Sequence, residues 1–328
     1  MDTSGKNGML FGQREEMTDT PDISVVMSVH NGAAHLRNSV DSILSQEGVK
    51  LELIVVDDGS ADESGKIMEE YANHDCRVRV IHQENQGLTR ALIAGCGSAK
   101  GKYIARQDLG DISVSGRLLK QFNCIEHSVD CAFVSCGTRF VGPQAEHLYD
   151  VKDEAGDAMA SLLTLELRHI RGPSHHGSTL FSRDRYERVG GYRPAFYFAQ
   201  DLDLWIRLAE RGKHIVMPEV LYQASLDVGS ISGLHRKEQI ETAGIILECA
   251  RLRRKGLEEA PALQRAALIR PGSKRKTDRL QRARALYFIG VCLNRRGDPQ
   301  ARNYFRQALQ AFPLHVKSAA RLVLGYRL

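Results

Sequence analysis

Residues 23–32 read ISVVMSVHNG, and residues 51–62 read LELIVVDDGSAD. Each opens as a short, β-branched, nearly unbroken apolar run and closes on polar residues. Such a run suits a strand covered on both faces, as in a parallel sheet. Between the two, Leu36, Val40, Ile43 and Leu44 recur at helical spacing. The alternation continues. A helix carrying Ile67, Met68 and Tyr71 is capped by Ser60 or Asp62, then come a strand over 78–82, a helix over 88–96 and a strand over 102–106. Strands alternating with helices predict parallel βαβ units.

In open sheets of this kind, ligands bind beyond the C-terminal strand ends. Three polar clusters fall there: Ser28-Val-His-Asn31, Asp57-Asp58 and Asp108-Leu-Gly-Asp111. After Asp111 the pattern loosens. It reads as a helix over 117–126, a strand over 131–136, a loop and short helix over 143–160, and a strand over 178–181. A helix over 203–211 places Leu204, Trp205 and Leu208 on a packing face. Beyond about residue 244 the chain turns helical and basic, broken at Pro271-Gly272. Helices follow over 277–296, 299–311 and 314–325, the second opened by Asp298-Pro299.

The 328 residues are 42% apolar and 26% charged, ordinary for a globular chain. No apolar run approaches the roughly 18 residues that a membrane span needs. Residues 1–20 are polar, lack the apolar segment of a secretory signal and read as a disordered lead-in. The expected compartment is therefore the cytoplasm. Seven cysteines, an odd number with no Cys-x-x-Cys, argue against a disulfide or zinc framework.

The net charge of +5 is unevenly spread. Residues 251–284 hold twelve Lys or Arg against three acidic residues, so the remainder is net acidic. Such a segment can hold a protein to anionic lipid, at about 1 kcal/mol per residue near the surface. A solvated pair of charged helices is the plainer alternative. No nucleic-acid motif accompanies the charge, so nucleic acid is not expected as a partner.

Six stretches taken in order carry a resemblance: ISVVMSVHNG (23–32), LELIVVDDGSAD (51–62), ENQGLTRAL (84–92), GKYIARQDLGDIS (101–113), HGSTLFSR (176–183) and AQDLDLWIRLAERG (199–212). Together they resemble the family 2 glycosyltransferases of the GT-A fold, from Asp22 to about His235. The resemblance implies an α/β domain over 21–243, with a Rossmann-like, mostly parallel sheet flanked by helices. A basic α-helical extension follows over 244–328. Its last fifty residues slightly resemble one tetratricopeptide hairpin through Ala301, Phe305, Ala308 and Pro313. The implied activity is inverting transfer of a sugar from a nucleotide-diphosphate donor, a UDP-sugar by the habits of the family, to an acceptor hydroxyl. The acceptor would be a glycan or glycolipid of surface polysaccharide synthesis, met at the inner face of a membrane.

The resemblance also implies roles. Asp58 accepts from a base N–H, and Ser28 and Asn31 line the same pocket. Arg90 meets a phosphate. Asp108 and Asp111 hold Mn²⁺ or Mg²⁺ against the diphosphate, whose charge grows as it leaves. His176 and Gln200 face the acceptor or the diphosphate. Asp201 is the general base toward the acceptor hydroxyl.

Three positions depart from the family pattern. Gly110 replaces the usual metal-binding carboxylate, Gln200 replaces Glu, and Ile93 replaces Asn. They leave open weaker metal binding, a displaced metal, or a degraded enzyme that binds nucleotide sugars or serves as a scaffold. Structural alternatives also stand beside the roles. Asp57, Asp58 and Ser60 could cap the next helix. Asp111 could cap a helix starting near Ser113, Asp201 could share a cap with Asp203, and Arg90 could be a solvated helix residue. His175-His176 could be read as a metal pair, but adjacent residues on a strand point to opposite sides and rarely share one ion.

Overall fold

The structure, a computed structural model, describes residues 20–152, 154, 156–226, 235–271 and 279–324. The expected lead-in over 1–20 lies almost wholly outside the described residues, as does Gly272 of the Pro-Gly break.

Four parallel strands form the first half of one ten-stranded sheet: β1 (Ile23–Val29), β2 (Leu51–Asp58), β3 (Val78–Gln83) and β4 (Tyr103–Asp108). They are joined by α1 (Ala33–Leu44), α2 (Ser64–His74) and α3 (Leu88–Gly97). The sheet order is 3-2-1-4, with the first strand central. β1 is buried on both faces, as its unbroken apolar run predicts. Val25, Met27 and Val29 meet Leu36, Val40, Ile43 and Ile67 on one side. Val26 meets Ile54, Val56, Ala91 and Leu92 on the other. Each such side chain contributes about 1.5–3 kcal/mol by leaving water.

The sheet continues beyond β4 through β9 (Thr179–Ser182), which runs antiparallel to both β4 and β6. β6 (Cys131–Val141) then pairs in parallel with β10 (Lys213–Ser225). Short strands β5 (Ile112–Ser113) and β8 (Gly156–Asp157) attach to β10, and β7 (His147–Val151) attaches to β6. The stretch expected as loop and short helix thus supplies β7 and β8 as well as α5 (Met159–Leu163). The remaining helices here are α4 (Arg117–His127), α6 (Arg183–Arg188) and α7 (Gln200–Ala209). α7 starts earlier than its apolar spacing indicates, so Gln200 and Asp201 lie in its first turn.

Asp62 organises two helix starts. Its Oδ2 accepts from Ala33 N at 3.0 Å and its Oδ1 from Ser64 N at 3.0 Å. Asp57 and Asp58 do not cap α2. Asp57 accepts from Ser60 N, and Ser60 Oγ accepts from Asn31 N.

In the extension, α8 (Arg236–Arg254) runs unbroken across residues 243 and 244. Its Ile246, Leu247, Cys249 and Ala250 pack with Phe196 and with Ile206 of α7, and α9 (Ala260–Leu268) adds Ala262 and Ala266. Charge reinforces this seam. Asp203 of α7 accepts from both Arg193 and Arg207, while Arg193 also donates to Glu259 at 2.5 Å and Arg253 bridges Glu259 and Glu210.

α10 (Arg279–Arg295), α11 (Ala301–Ala311) and α12 (Val316–Leu324) follow. Ala301, Phe305 and Ala308 are buried against Leu286, Ile289 and Leu293 of α10, and Leu148 of β7 joins that core. Five of the seven cysteines are buried. Among the described residues, no helix is long and apolar enough to cross a membrane.

Candidate active site

The parallel register brings the polar strand ends together. Ser28 lies opposite Val56 on one side and Asp108 on the other, and Val29 lies opposite Asp57. These ends form one rim, with Asp108 at the tip of β4.

Beyond Asp108 the chain turns through Gly110 at φ +89°. That backbone conformation is strained for any residue with a Cβ. The turn swings Asp111 back to the rim. Asp111 caps no helix, because α4 starts only at Arg117 behind Gly116. Instead its Oδ2 accepts from the Tyr222 hydroxyl at 2.8 Å and its Oδ1 from Ser225 N at 2.9 Å. Tyr222 also accepts from Asp108 N at 3.0 Å. One hydroxyl therefore ties together both ends of the turn.

His175 completes the cluster. Its Nδ1 lies 3.8 Å from Asp108 Oδ2 and 3.6 Å from Asp111 Oδ2, and its ring stacks on Tyr222. One donor atom from each of the three residues falls within 4.8 Å of the others. Gly177 makes the approach of Tyr222 feasible, since a Cβ there would lie 1.9 Å from the tyrosine oxygen.

The charges are arranged unequally. Arg106, fully buried, donates to Asp108 Oδ1 at 2.6 Å and to the Val26 carbonyl. Burial opposes the ionised form of Asp108, but the buried guanidinium of Arg106, helped by that of Arg117, outweighs it and holds the carboxyl below its ordinary value. Burial, joined by the Asp108 charge, drives Asp111 well above the usual carboxylate range. Burial likewise lowers His175 and takes His176 down to about 3, leaving both imidazoles neutral near pH 7. With the Asp111 proton given up to the ion, two carboxylates and a neutral imidazole are a donor set that suits Mn²⁺, with Mg²⁺ favouring oxygens alone. Arg117, also fully buried, braces the arrangement through Ser113 Oγ and the carbonyls of Arg106 and Gly177.

A cavity of about 680 Å³ opens beside this cluster, lined by Asp108, His175, His176, Gln200, Asp201 and Trp205 among others. Ala199 adopts the left-handed conformation at φ +51°, uncommon outside glycine, directly before Gln200. The kink sets Asp201 in the first turn of α7, where its Oδ1 accepts from Leu202 N at 2.8 Å. Burial, aided by the charge on Asp108, pushes its carboxyl up to about 6. His176 faces away from His175, with its Nε2 2.6 Å from the Tyr192 hydroxyl and its ring edge-on to Trp205. Gln200 is buried at the cavity wall.

The other end of the rim is built around Asp58. This buried carboxylate accepts from Gln83 Nε2 at 2.7 Å, Gln86 N at 2.9 Å and Gly87 N at 2.8 Å. It therefore orders the loop that leads into α3. Asn31, exposed at φ +53°, accepts from Ala61 N through Oδ1. Ser28 is partly buried between Val56 and Asp108. Arg90 is exposed on α3 and lines a second cavity of about 310 Å³ with Asn85, Gln86 and Tyr197. Ile93 packs against the apolar core on that side of the sheet.

Sequence reasoning did not select His175 or Tyr222. The opposed directions of His175 and His176 make one of them available to the carboxylates, but spacing does not tell which. Tyr222 lies more than a hundred residues from its partners on β10 and carries no local signal.

The model for the family described as "Glycosyl transferase family 2" matches residues 24–189. Glycosyltransferase EpsE of Bacillus subtilis (strain 168) is 30% identical over 247 residues, covering 72% of this chain and 85% of that protein. Among solved structures, S. aureus TarS 1-349 in complex with UDP has a TM-score of 0.55 at 16% identity, covering 93% of this chain and 89% of that one. The mannosyltransferase PcManGT from Pyrobaculum calidifontis, solved with GDP-Man and Mn²⁺, has a TM-score of 0.53 at 18% identity, covering 93% and 84%.

Proposed function

The chain belongs to glycosyl transferase family 2 and is a glycosyltransferase, and on that premise we propose that it moves a sugar from a UDP-linked donor to an acceptor hydroxyl with inversion at the anomeric carbon. The observation that carries this reading is Asp201. It shares a cavity with Asp108 and His176, and its carboxyl titrates near 6. A general base works best when its pKa lies close to the working pH.

In this reading Asp201 accepts the proton of the acceptor hydroxyl as that oxygen attacks, and a single displacement inverts the centre. Asp108, Asp111 and His175 hold a divalent cation, Mn²⁺ or Mg²⁺. Such a cation, when bound, stabilises the charge that develops on the departing diphosphate. Arg106 keeps Asp108 ionised, and Tyr222 fixes the orientation of Asp111. His176, held neutral, and Gln200 line the acceptor side. Asp58 keeps one lone pair on Oδ2 for the imide N–H of a uracil, with Ser28 and Asn31 beside it and Arg90 toward a phosphate. The complexes of TarS with UDP and of PcManGT with GDP-Man and Mn²⁺ support a nucleotide-sugar donor and a divalent metal.

The acceptor is a glycan or glycolipid of surface polysaccharide synthesis, as the resemblance to family 2 implies. The basic extension then touches anionic lipid at the inner membrane face. Melting curves with UDP- and GDP-sugars, with and without Mn²⁺, test the donor reading. One UDP-sugar should raise the melting temperature, and more so with Mn²⁺. A rise with GDP-sugars alone would overturn the uridine assignment, and no rise at all would overturn donor binding at this site.

A further inference from the structure

The smaller cavity, about 310 Å³, is lined by two arginines from distant parts of the chain. Arg90 comes from the first turn of α3. Arg270 comes from the extension, two residues past the end of α9. Among the described residues no acidic side chain lines the cavity, whose other polar walls are Asn85, Gln86, Thr89 and Tyr197.

Neighbouring arginines of this protein are neutralised by carboxylates. Arg193 and Arg253 share Glu259, Arg254 meets Glu210, and Arg265 meets Glu248. Among the described residues, neither Arg90 nor Arg270 has such a partner. The side chain of Arg270 donates to the carbonyl of Ile269, at 3.3 Å, and lies 5.7 Å from the Tyr197 ring centre. Two arginines on one cavity wall without carboxylate partners give it a positive potential that favours an anion. The planar guanidinium fork matches phosphate oxygens in particular.

The helix that leads to Arg270 is firmly seated. α9 is anchored by Ala262 and Ala266 in the apolar seam with α7 and α8, and Glu259 at its start is held by Arg193 and Arg253. Tyr197 lines this cavity and the one containing Asp108 and Asp201, so the two adjoin.

We propose that Arg90 and Arg270 form a phosphate-binding subsite beside the catalytic cavity, so that the C-terminal extension takes part in ligand recognition. The proposal deepens the glycosyltransferase reading and rests on it for the source of the phosphate. That source is either the donor diphosphate or a phosphate carried by the acceptor.

The test is calorimetric titration of the full chain and its Arg270→Ala, Arg270→Lys and Arg90→Ala variants with UDP, uridine and inorganic pyrophosphate. Pyrophosphate is also titrated in the presence of saturating UDP. Both arginines are exposed, and unchanged melting temperatures would show that the variants fold. Weakening of UDP binding by about tenfold in Arg270→Ala, with uridine unaffected and Arg270→Lys intermediate, assigns the subsite to the donor diphosphate. Unchanged UDP binding, with loss of pyrophosphate binding to the UDP-saturated protein, assigns it to an acceptor phosphate. Wild-type affinities for both probes in Arg270→Ala would overturn the subsite. A wild-type chain that binds pyrophosphate through Arg270 but not UDP would leave the subsite standing and refute the uridine donor instead.

Discussion

The hydroxyl of Tyr222 donates to Asp111 Oδ2 at 2.8 Å while accepting the Asp108 N–H at 3.0 Å. A residue from the far end of the sheet thereby sets the spacing of the two carboxylates on either side of Gly110. Tyr222→Phe keeps the ring but leaves a buried amide and a buried carboxyl each short of a partner. Such groups cost about 1–3 kcal/mol. The expected result is a lower urea midpoint together with weaker Mn²⁺ binding. Unchanged Mn²⁺ affinity would remove Tyr222 from the metal reading.

Removing His175 tests the cluster from its third corner. His175→Ala should reduce Mn²⁺ affinity by at least about tenfold, the scale on which even outer partners of a metal act. Chelator treatment should abolish turnover, and added Mn²⁺ should restore it. His176→Ala, whose ring faces Tyr192 and Trp205, should leave metal affinity near that of the wild type.

Restoring the common family carboxylate should fail. Gly110→Asp would place a Cβ at φ +89°, at a cost of about 1 kcal/mol or more. Thermal melts should show loss of stability, and turnover should not rise. Increased activity would mean that the turn relaxes and that Asp111 is not the working partner of Asp108.

Asp201 governs the pH profile. Its carboxyl must be ionised to act as base, so kcat/KM should fall as pH drops through about 6 and level off above it. Asp201→Asn should lower kcat by about 100-fold or more while donor binding persists. Stability should move the other way. The folded pKa is raised above the unfolded value, so the native state holds the extra proton between about pH 4 and 6, and stability declines as pH rises through that window. At pH 7 the asparagine variant should therefore melt at or above the wild-type temperature.

Much of this was legible in the sequence, and the rest was hidden for physical reasons. β1 to β4 announce themselves because both faces are buried, and their polar ends mark the rim. Asp108 and Asp111 stand in a polar cluster at a strand end, and their roles and that of Asp201 were named through the family resemblance. The start of α7 was not legible, since the left-handed turn at Ala199 is imposed by tertiary packing and alanine gives no sign of it. β7 and β8 are short edge pieces whose pairing depends on β6 and β10. Arg106 reads as a polar residue in a strand, and only the fold reveals a buried cation bound to Asp108.

Asp203 provides the sharpest stability test. Its carboxylate lies between Arg193 and Arg207 and is almost wholly buried. Asp203→Ala leaves Arg207 without its carboxylate and Arg193 with Glu259 alone, and should cost about 3–5 kcal/mol in denaturant unfolding. A loss below about 1 kcal/mol would show that Glu259 alone can hold Arg193 in place.

The unbroken course of α8 bears on how such enzymes can be recombined. A chimera that exchanged everything after residue 243 would cut a helix in its first half and bring foreign side chains against Phe196 and Ile206. It would also separate Glu259 and Arg253 from Arg193 and Glu210. A viable graft must inherit those partners along with the helices, so the heritable unit runs across the seam between α7 and α8 rather than ending at it.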